Sequence, residues 1–475
     1  MTSFGKYFAF SVLVFVMCIH PVFAQETIIK GYAEGRPDAL VRVVVYADQF
    51  SHLEYALATT YTDEDGKFEM KINIPETTFA YLALELKKGE FYIKPGAEYD
   101  FKIPLDTTTS RGSVFDELPL QFNCKANDGG LIENIGKFNL EYNTFILNNT
   151  NRIYRSRDKS LIAEFKAAIQ TEFQNADDQY LNDYIRYTMA SLEWVSKAKS
   201  EEEIMKEYFL GQTVLYQNIQ YTDFFAEFFK AAFASTDLFG YNDLVAVINS
   251  DKGYIDLDNL LLKSEALAND TEIRELVATL LIAKKYYSPN VIKRKVIEKY
   301  RELQRNSKFS GVRKTAEDYI EKLTHHANGS PATPFKLTDA DGNDIELSSF
   351  KGKFVLLNFN RADCKMCLHY FQDLDEINKE FKGKLEIVSI VKDDGFVVTA
   401  TYAGDRSFDW TFLNLGRNIL LLEDYHIRTF PAFVIINPEN NIVMETAPLP
   451  GEGLNLYIRR FMSEYAKKQA AGAEN

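Results

Sequence analysis

The sequence predicts a multidomain chain: an N-terminal β-sandwich, a central all-α helical domain and a C-terminal α/β domain. Three observations predict it. Short runs of alternating apolar and polar residues continue to about residue 125, and helical spacing then holds from 130 to about 325. After 334, strand-like and helix-like segments alternate. Length demands the same division, since roughly 450 residues beyond a leader, with 46% hydrophobic content, are too many for one core. The expected boundaries are a signal peptide over 1–24, a β-sandwich domain over 25–125, a helical domain over 126–326 and the α/β domain over 327–475.

The leader carries Lys6, an apolar stretch from Tyr7 to Ile19, and Val22-Phe23-Ala24 as a small-residue cleavage site before Gln25. The stretch is too short to span a membrane comfortably. Cys18 follows Met17, where a lipid-anchor motif has a small residue, so the segment predicts an exported, periplasmic protein, with a lipid anchor as the lesser alternative. Net charge is −14, or −15 once Lys6 is removed with the leader. That acidity, with no Lys/Arg-rich run, argues against nucleic acid and anionic membrane surfaces as partners.

In the β-sandwich region, Val41, Val43 and Val45 alternate with Arg42, Val44 and Tyr46. Thr62-Asp63-Glu64-Asp65-Gly66 and Pro95-Gly96 mark turns between strands. His52 is expected at the surface. In the helical region Ile162, Phe165 and Ile169 share one face, as do Leu181, Ile185, Thr188 and Leu192. Ser200 with Glu203 and Asn269 with Glu272 have capping-box spacing, and Ser288-Pro289 reads as a helix start. Phe224, Phe225, Phe228, Phe229 and Phe233 could line a groove for unfolded polypeptide, but ordinary core packing is the stronger expectation. His325 to Pro331 reads as a linker. Strands are then expected over 353–359, 385–391, 432–436 and 442–446, with helices at 364–382 and 452–468.

Cys364-Lys365-Met366-Cys367 lies between the strand Val355 to Phe359 and a helix beginning near Leu368. Cysteines three apart at a helix start share one face and come within disulfide reach. The free N–H groups and positive end of the helix favour the thiolate of the first, the species that attacks disulfides. Cys124, the remaining cysteine beyond the leader, reads as a buried small hydrophobe.

From Pro334 onward the chain resembles the TlpA/ResA-like branch of the thioredoxin superfamily. Leu347-Ser348-Ser349-Phe350-Lys351-Gly352-Lys353 resembles its lead-in, and Thr338 to Gly342 resembles the hairpin before the first core strand. Tyr425-His426-Ile427-Arg428-Thr429-Phe430-Pro431 resembles the segment holding its cis-proline, and Ile435 to Val443 its closing hairpin. Less specifically, the N-terminal segment resembles the β-domain of Bacteroidetes-type multidomain periplasmic proteins.

The resemblance implies a thioredoxin-like fold and an exported thiol–disulfide oxidoreductase, a reductase or isomerase of periplasmic proteins. Cys364 would be the nucleophile, Cys367 the resolving thiol, and Cys364–Cys367 the redox disulfide. Pro431 would sit against that disulfide, with Thr429 and Phe430 contacting substrate; Met366, by its own soft apolar side chain, is expected to contact substrate too. No cofactor and no metal are implied. Protein disulfides would be substrates, a membrane electron donor would re-reduce the dithiol, and the helical or β domain could make a homodimer.

This chain departs from the family at the motif. Asp363 and Met366 replace the usual Trp and Pro, Asn360 replaces an aromatic residue, and Asn358 stands where thioredoxin itself has an acid. Lys365 is expected to stabilise the Cys364 thiolate and Asp363 to oppose it. These changes motivate an alternative, a redox-weak binding or scaffold protein. A copper carrier using Cys364, Cys367 and His369 or His426 ranks lower, because such relatives space their cysteines Cys-x-x-x-Cys. A peroxidatic Thr-x-x-Cys is missing, since Arg361 stands three residues before Cys364.

Overall fold

The computed structural model describes residues 26–105, 119–232, 240–325, 329–392 and 395–473. The leader with Cys18, Phe233 and His326 to Asn328 of the linker lie outside the described residues.

Eight strands open the described chain: β1 (Thr27–Ala33), β2 (Leu40–Tyr46), β3 (Glu54–Tyr61), β4 (Lys67–Ile72), β5 (Thr78–Leu84), β6 (Lys87–Ile93), β7 (Glu98–Ile103) and β8 (Asn123–Ala126). They form two four-stranded sheets, β4-β1-β7-β8 and β3-β2-β5-β6. Phe68, Met70, Tyr99 and Phe101 of the first meet Val41, Val43, Leu82 and Phe91 of the second in one apolar core. In β4 the period of two is plain, with Phe68, Met70 and Ile72 buried and Lys67, Glu69 and Lys71 exposed. The turn before it forms because the Asp63 carboxylate accepts the N–H groups of Asp65 (3.0 Å) and Lys67 (2.8 Å), while Gly66 adopts φ 85°.

Strand β2 departs from its pattern. Its alternation predicts one wet face, yet every residue but Tyr46 is buried. Val41, Val43 and Val45 enter the β core, whereas Leu40 packs into the C-terminal domain. Arg42 forks onto Glu423 of that domain at 2.9 and 3.1 Å and donates to the Glu85 carbonyl at 2.8 Å. Phe79 and Tyr92, from the same sheet, pack against helices instead. The outer face is dry because segments distant in sequence cover it, which local periodicity does not report.

The helical region contains α1 (Leu131–Tyr154), α2 (Lys159–Glu172), α3 (Gln179–Val195), α4 (Glu201–Ile204), α5 (Ile219–Ala232), α6 (Tyr241–Asn249), α7 (Tyr254–Leu261), α8 (Glu265–Ala268), α9 (Thr271–Lys285), α10 (Lys293–Asn306) and α11 (Ser310–Thr324). The Ser200–Glu203 capping box forms in full at α4. The expected box at Asn269 does not. Asp270 caps α9, accepting from the Ile273 N–H, because its carboxylate sits where the first orphan donors point. Ser288-Pro289 lies in the turn before α10, which starts at Lys293. There the Asn249 side-chain oxygen takes the Ile292 N–H at 2.8 Å.

Phe224, Phe225, Phe228 and Phe229 are core, not groove. Each is at most 3% exposed, and their rings lie 5.3–5.4 Å from that of Phe209. The loop after β2 adds Phe50 to this core, 5.4 Å from Phe225. Its backbone carbonyl accepts from Tyr319 of α11 at 2.9 Å. Beside it, Asp48 and Asp318 are both buried. Asp48 accepts from Thr315 at 3.2 Å, and Asp318 accepts from Lys314 at 2.6 Å.

The C-terminal domain runs β9 (Lys336–Thr338), β10 (Asp344–Glu346), β11 (Phe354–Asn360), α12 (Lys365–Glu380), β12 (Leu385–Val391), α13 (Phe396–Asp405), β13 (Thr411–Asn414), α14 (Leu420–Asp424), β14 (Ala432–Ile436), β15 (Ile442–Ala447) and α15 (Leu454–Ala473). Its sheet has the order β10-β9-β13-β12-β11-β14-β15, with β11, β12 and β13 parallel and β14 antiparallel to β11. Val355, Leu357 and Phe359 face one core; Phe354 and Leu356 face the other, under α12 and α15. All seven β11 residues are buried, as expected of a central strand covered on both sides. The linker is tied down: Gly329 and Ile442 bond backbone to backbone at 2.6 Å.

Two measurements check this packing. Phe225→Ala should lower the unfolding free energy by about 3–5 kcal/mol in urea. Burial, opposed by Lys314 and reinforced by the Asp48 carboxyl, pushes Asp318 up to about 7. The folded state then keeps a proton that the unfolded chain releases, so this group makes stability fall as pH rises from 3.8 to about 7. Urea midpoints measured across that window should show the fall, and Asp318→Asn should flatten it.

Candidate active site

Strand β11 ends at Asn360, three residues turn the chain, and Cys364 becomes the N-cap of α12. Its φ of −86° and ψ of 98° are extended, so its side chain folds back over the first turn. There Cys364 Sγ accepts the Cys367 backbone N–H at 3.1 Å. A cysteine thus occupies a place that serine or aspartate usually takes, and the same donor that caps the helix stabilises a thiolate. Cys364 and Cys367 are joined by a disulfide, with Cα atoms 5.2 Å apart. Cys364 is half-buried, whereas Cys367 is 1% exposed on the inward stripe it shares with Phe371, Leu374 and Ile377. One sulfur is therefore reachable from solvent and the other is not.

The segment before β14 closes the site from the opposite side. The Phe430–Pro431 peptide is cis, and the Phe430 carbonyl oxygen lies 3.8 Å from Cys364 Sγ. Phe430 and Pro431 are half-buried, and Thr429 is exposed. Met366, 52% exposed, adds an apolar side chain on the other flank. All the residues singled out around the motif and the proline thus lie on the segments that flank one sulfur pair.

Asp363 is more constrained than its sequence position implies. Its carboxylate is gripped by the Arg361 guanidinium, with Nε to Oδ1 at 2.9 Å and a second bond from the terminal nitrogen. Arg361 also lies 6.0 Å from the Phe430 ring centroid. The negative charge expected to oppose the thiolate is paired locally. Sequence reasoning used Arg361 only to discount a peroxidatic site; its i, i+2 spacing to Asp363 was the available signal. A recess of about 160 Å³ opens alongside, lined by Arg361, Ala362, Asp363, Lys392 and Gly395. A Cβ on Gly395 would meet that of Ala362 at 2.0 Å, so the close approach of α13 requires glycine.

Among the described residues, no group of three His, Cys, Asp or Glu side chains could hold a metal ion. His426 Nδ1 pairs with the Glu445 carboxylate, and His369 is exposed on α12. Cys124 sits on β8 opposite Phe101, packed against the β core. Burial pushes its thiol up to about 12, which leaves little thiolate at neutral pH.

This fold, with a Cys-x-x-Cys disulfide at the start of its first long helix, is of the thioredoxin-like class. Residues 328–444 match the AhpC/TSA family. Over 154 residues the chain is 26% identical to the thiol-disulfide oxidoreductase ResA of Bacillus cereus, spanning 32% of this chain and 84% of that protein. The Bacillus subtilis ResA is 30% identical over 118 residues, 25% of this chain and 65% of that one. Among solved structures, the thioredoxin domain of a Bacteroides vulgatus thiol-disulfide oxidoreductase is 28% identical. That match covers 28% of this chain and 97% of that domain, at a TM-score of 0.27. These likenesses concern the C-terminal domain.

The difference between the three thiols is measurable. After reduction at pH 7, iodoacetamide should label Cys364 first, with Cys367 and Cys124 at least tenfold slower (~10-fold, from burial and thiolate fraction), read by peptide mass spectrometry.

Proposed function

We propose that this protein is an exported oxidoreductase that exchanges disulfides with other proteins through the Cys364–Cys367 dithiol. The observation that carries the reading is the pairing of a half-exposed, helix-capping sulfur with a buried one three residues later. Cys364 thiolate attacks a client disulfide and forms a mixed disulfide, releasing one client thiolate. Cys367 then attacks Cys364 Sγ, closing the internal disulfide and releasing the second client sulfur. Pro431 closes the groove opposite the nucleophile. Thr429, Phe430 and Met366 contact the client chain, and Phe430 can offer backbone groups to an extended segment. Lys365 favours the thiolate, and Arg361 offsets Asp363.

Export follows from the leader sequence, and no described helix is long and apolar enough to cross a membrane. The clients are periplasmic proteins bearing disulfides. A dithiol donor at the membrane returns two electrons to Cys364–Cys367, so reduction is the working direction. The N-terminal β and helical parts hold the redox domain in a set orientation, which the Arg42–Glu423 fork supports. They are also the surfaces through which a homodimer would form.

The reduced protein should reduce insulin in a turbidity assay. Inactivity with both thiols free would favour the scaffold reading. Cys367→Ala should trap mixed disulfides in periplasm, and Cys364→Ala in that background should abolish trapping. Trapping that survives Cys364→Ala but disappears with Cys124→Ala would overturn the assignment.

A further inference from the structure

The loop between β2 and β3 reaches out of the β domain and lies against α11. Asp48, Gln49, Phe50 and Ser51 are each at most 5% exposed there, although three of the four are polar. Asp48 shapes the loop: its Oδ1 accepts the N–H groups of Phe50 and Ser51, each at 2.9 Å, and its Oδ2 accepts the Ser51 hydroxyl. Donors of α11 then hold it. Thr315 Oγ1 donates to Asp48 Oδ1 at 3.2 Å, the Tyr319 hydroxyl to the Phe50 carbonyl at 2.9 Å, and Lys322 Nζ to the Ser51 carbonyl.

Asp318 stands on the same helical face, three residues after Thr315 and four before Lys322, and it breaks the pattern. It is 1% exposed. Its Oδ1 accepts from Lys314 at 2.6 Å, but its Oδ2 has no donor among the described residues. Its carboxyl group nevertheless lies within hydrogen-bonding reach of that of Asp48. Two ionised carboxylates offer only acceptors and repel each other, so a buried contact of this kind calls for one proton between them. The cations around the pair bond elsewhere: Lys314 to the other Asp318 oxygen, and Lys322 to the Ser51 carbonyl. The other ionisable neighbours are Glu317 of α11, which pairs with Lys314, and Glu54 of β3, which acts on Lys322. From α10 comes Tyr300, its ring stacked on that of Tyr319 at 5.3 Å. None of these donates to Asp318 Oδ2.

We infer that Asp318 is protonated and donates to Asp48, and that this shared proton is a latch holding the β domain to the helical domain. When loop and helix part, Asp318 meets water and ionises, so each opening releases one proton. Burial, opposed by Lys314 and reinforced by Asp48, lets the closed pair keep that proton up to about 7, against 3.8 for a free carboxyl. Opening therefore grows easier as pH rises from 3.8 to about 7, and is insensitive to pH beyond that window. The consequence reaches past the loop. Strand β2, which leads into it, also carries Leu40 and Arg42 onto the C-terminal domain. One strand thus ties three parts of the molecule together, and the latch sets how firmly one of those ties holds. It operates whatever chemistry the dithiol performs.

Hydrogen–deuterium exchange of the full mature protein tests the latch, read by mass spectrometry on peptides covering residues 47–53. After correction for the intrinsic exchange rate, the opening constant should rise about tenfold per pH unit between about pH 5 and about pH 6.5, then level off, because one proton leaves per opening. Asp318→Asn keeps a neutral donor toward Asp48 and should remove the slope. His52, in the same loop, pairs with Asp223 of α5 (Nε2 to Oδ1 3.4 Å), and histidine can change charge near neutrality. His52→Gln should therefore leave the slope as it is. Wild type with carbon-13 in its aspartate carboxyls should also show, at about pH 6, the infrared C=O band of a protonated acid, a band that Asp318→Asn loses. A pH-independent opening constant in wild type or a slope retained in folded Asp318→Asn would overturn the inference. So would a slope lost in His52→Gln, or a wild type without the protonated-acid band.

Discussion

The outer face of one four-stranded sheet, β3-β2-β5-β6, is the constraint on which the other parts of the molecule depend. Its inner face builds the β core with Val41 and Val43. Its outer face meets the helices through Phe79 and Tyr92 and the C-terminal domain through Leu40. Arg42 lies on that outer face at 5% exposure, a position where an unpaired guanidinium would be prohibitively costly. The fork onto Glu423 and the Glu85 carbonyl makes its burial tolerable and ties the geometry of two domains together. Glu423 belongs to α14, the element just before the segment that carries Phe430 and Pro431. The β domain is thereby linked to the side of the redox site that faces Cys364.

At the site, one backbone donor has two roles. The Cys367 N–H would be an orphan of the first helical turn, and the Cys364 sulfur satisfies it. Local chain geometry and redox chemistry therefore impose the same requirement, a sulfur at the N-cap. The surroundings then modify that common arrangement. Arg361 takes up Asp363, and Met366 leaves the outer turn apolar.

The helical region shows how aromatic content becomes structure. Phe209 is surrounded by four rings of α5, and Phe50 reaches the same core from the loop after β2. That insertion explains the buried Asp48 and Asp318 beside it. A loop that delivers a phenylalanine into another domain must carry its polar backbone along, and Thr315, Tyr319 and Lys322 of α11 bond to it.

What depends on neighbours along the chain is legible in the order of the residues. A period-two run located β2, short strand-like runs located β11, β12, β14 and β15, helical spacing located α2 and α3, and the Cys-x-x-Cys after an apolar strand located the reactive pair. Those signals are local because backbone hydrogen bonding and side-chain direction repeat every two or 3.6 residues. Short elements such as β13 and α14 carried too few repeats to be legible. Asn269 and Ser288 were misread because cap chemistry alone does not say which nearby side chain wins the orphan donors. Folding, by contrast, dries the outer face of β2 and sets Arg361 against Asp363. It also leaves Asn358 and Asn360 buried on the central strand. Each of those facts depends on which groups meet after folding, where desolvation raises the stakes of every polar contact and sequence distance ceases to matter.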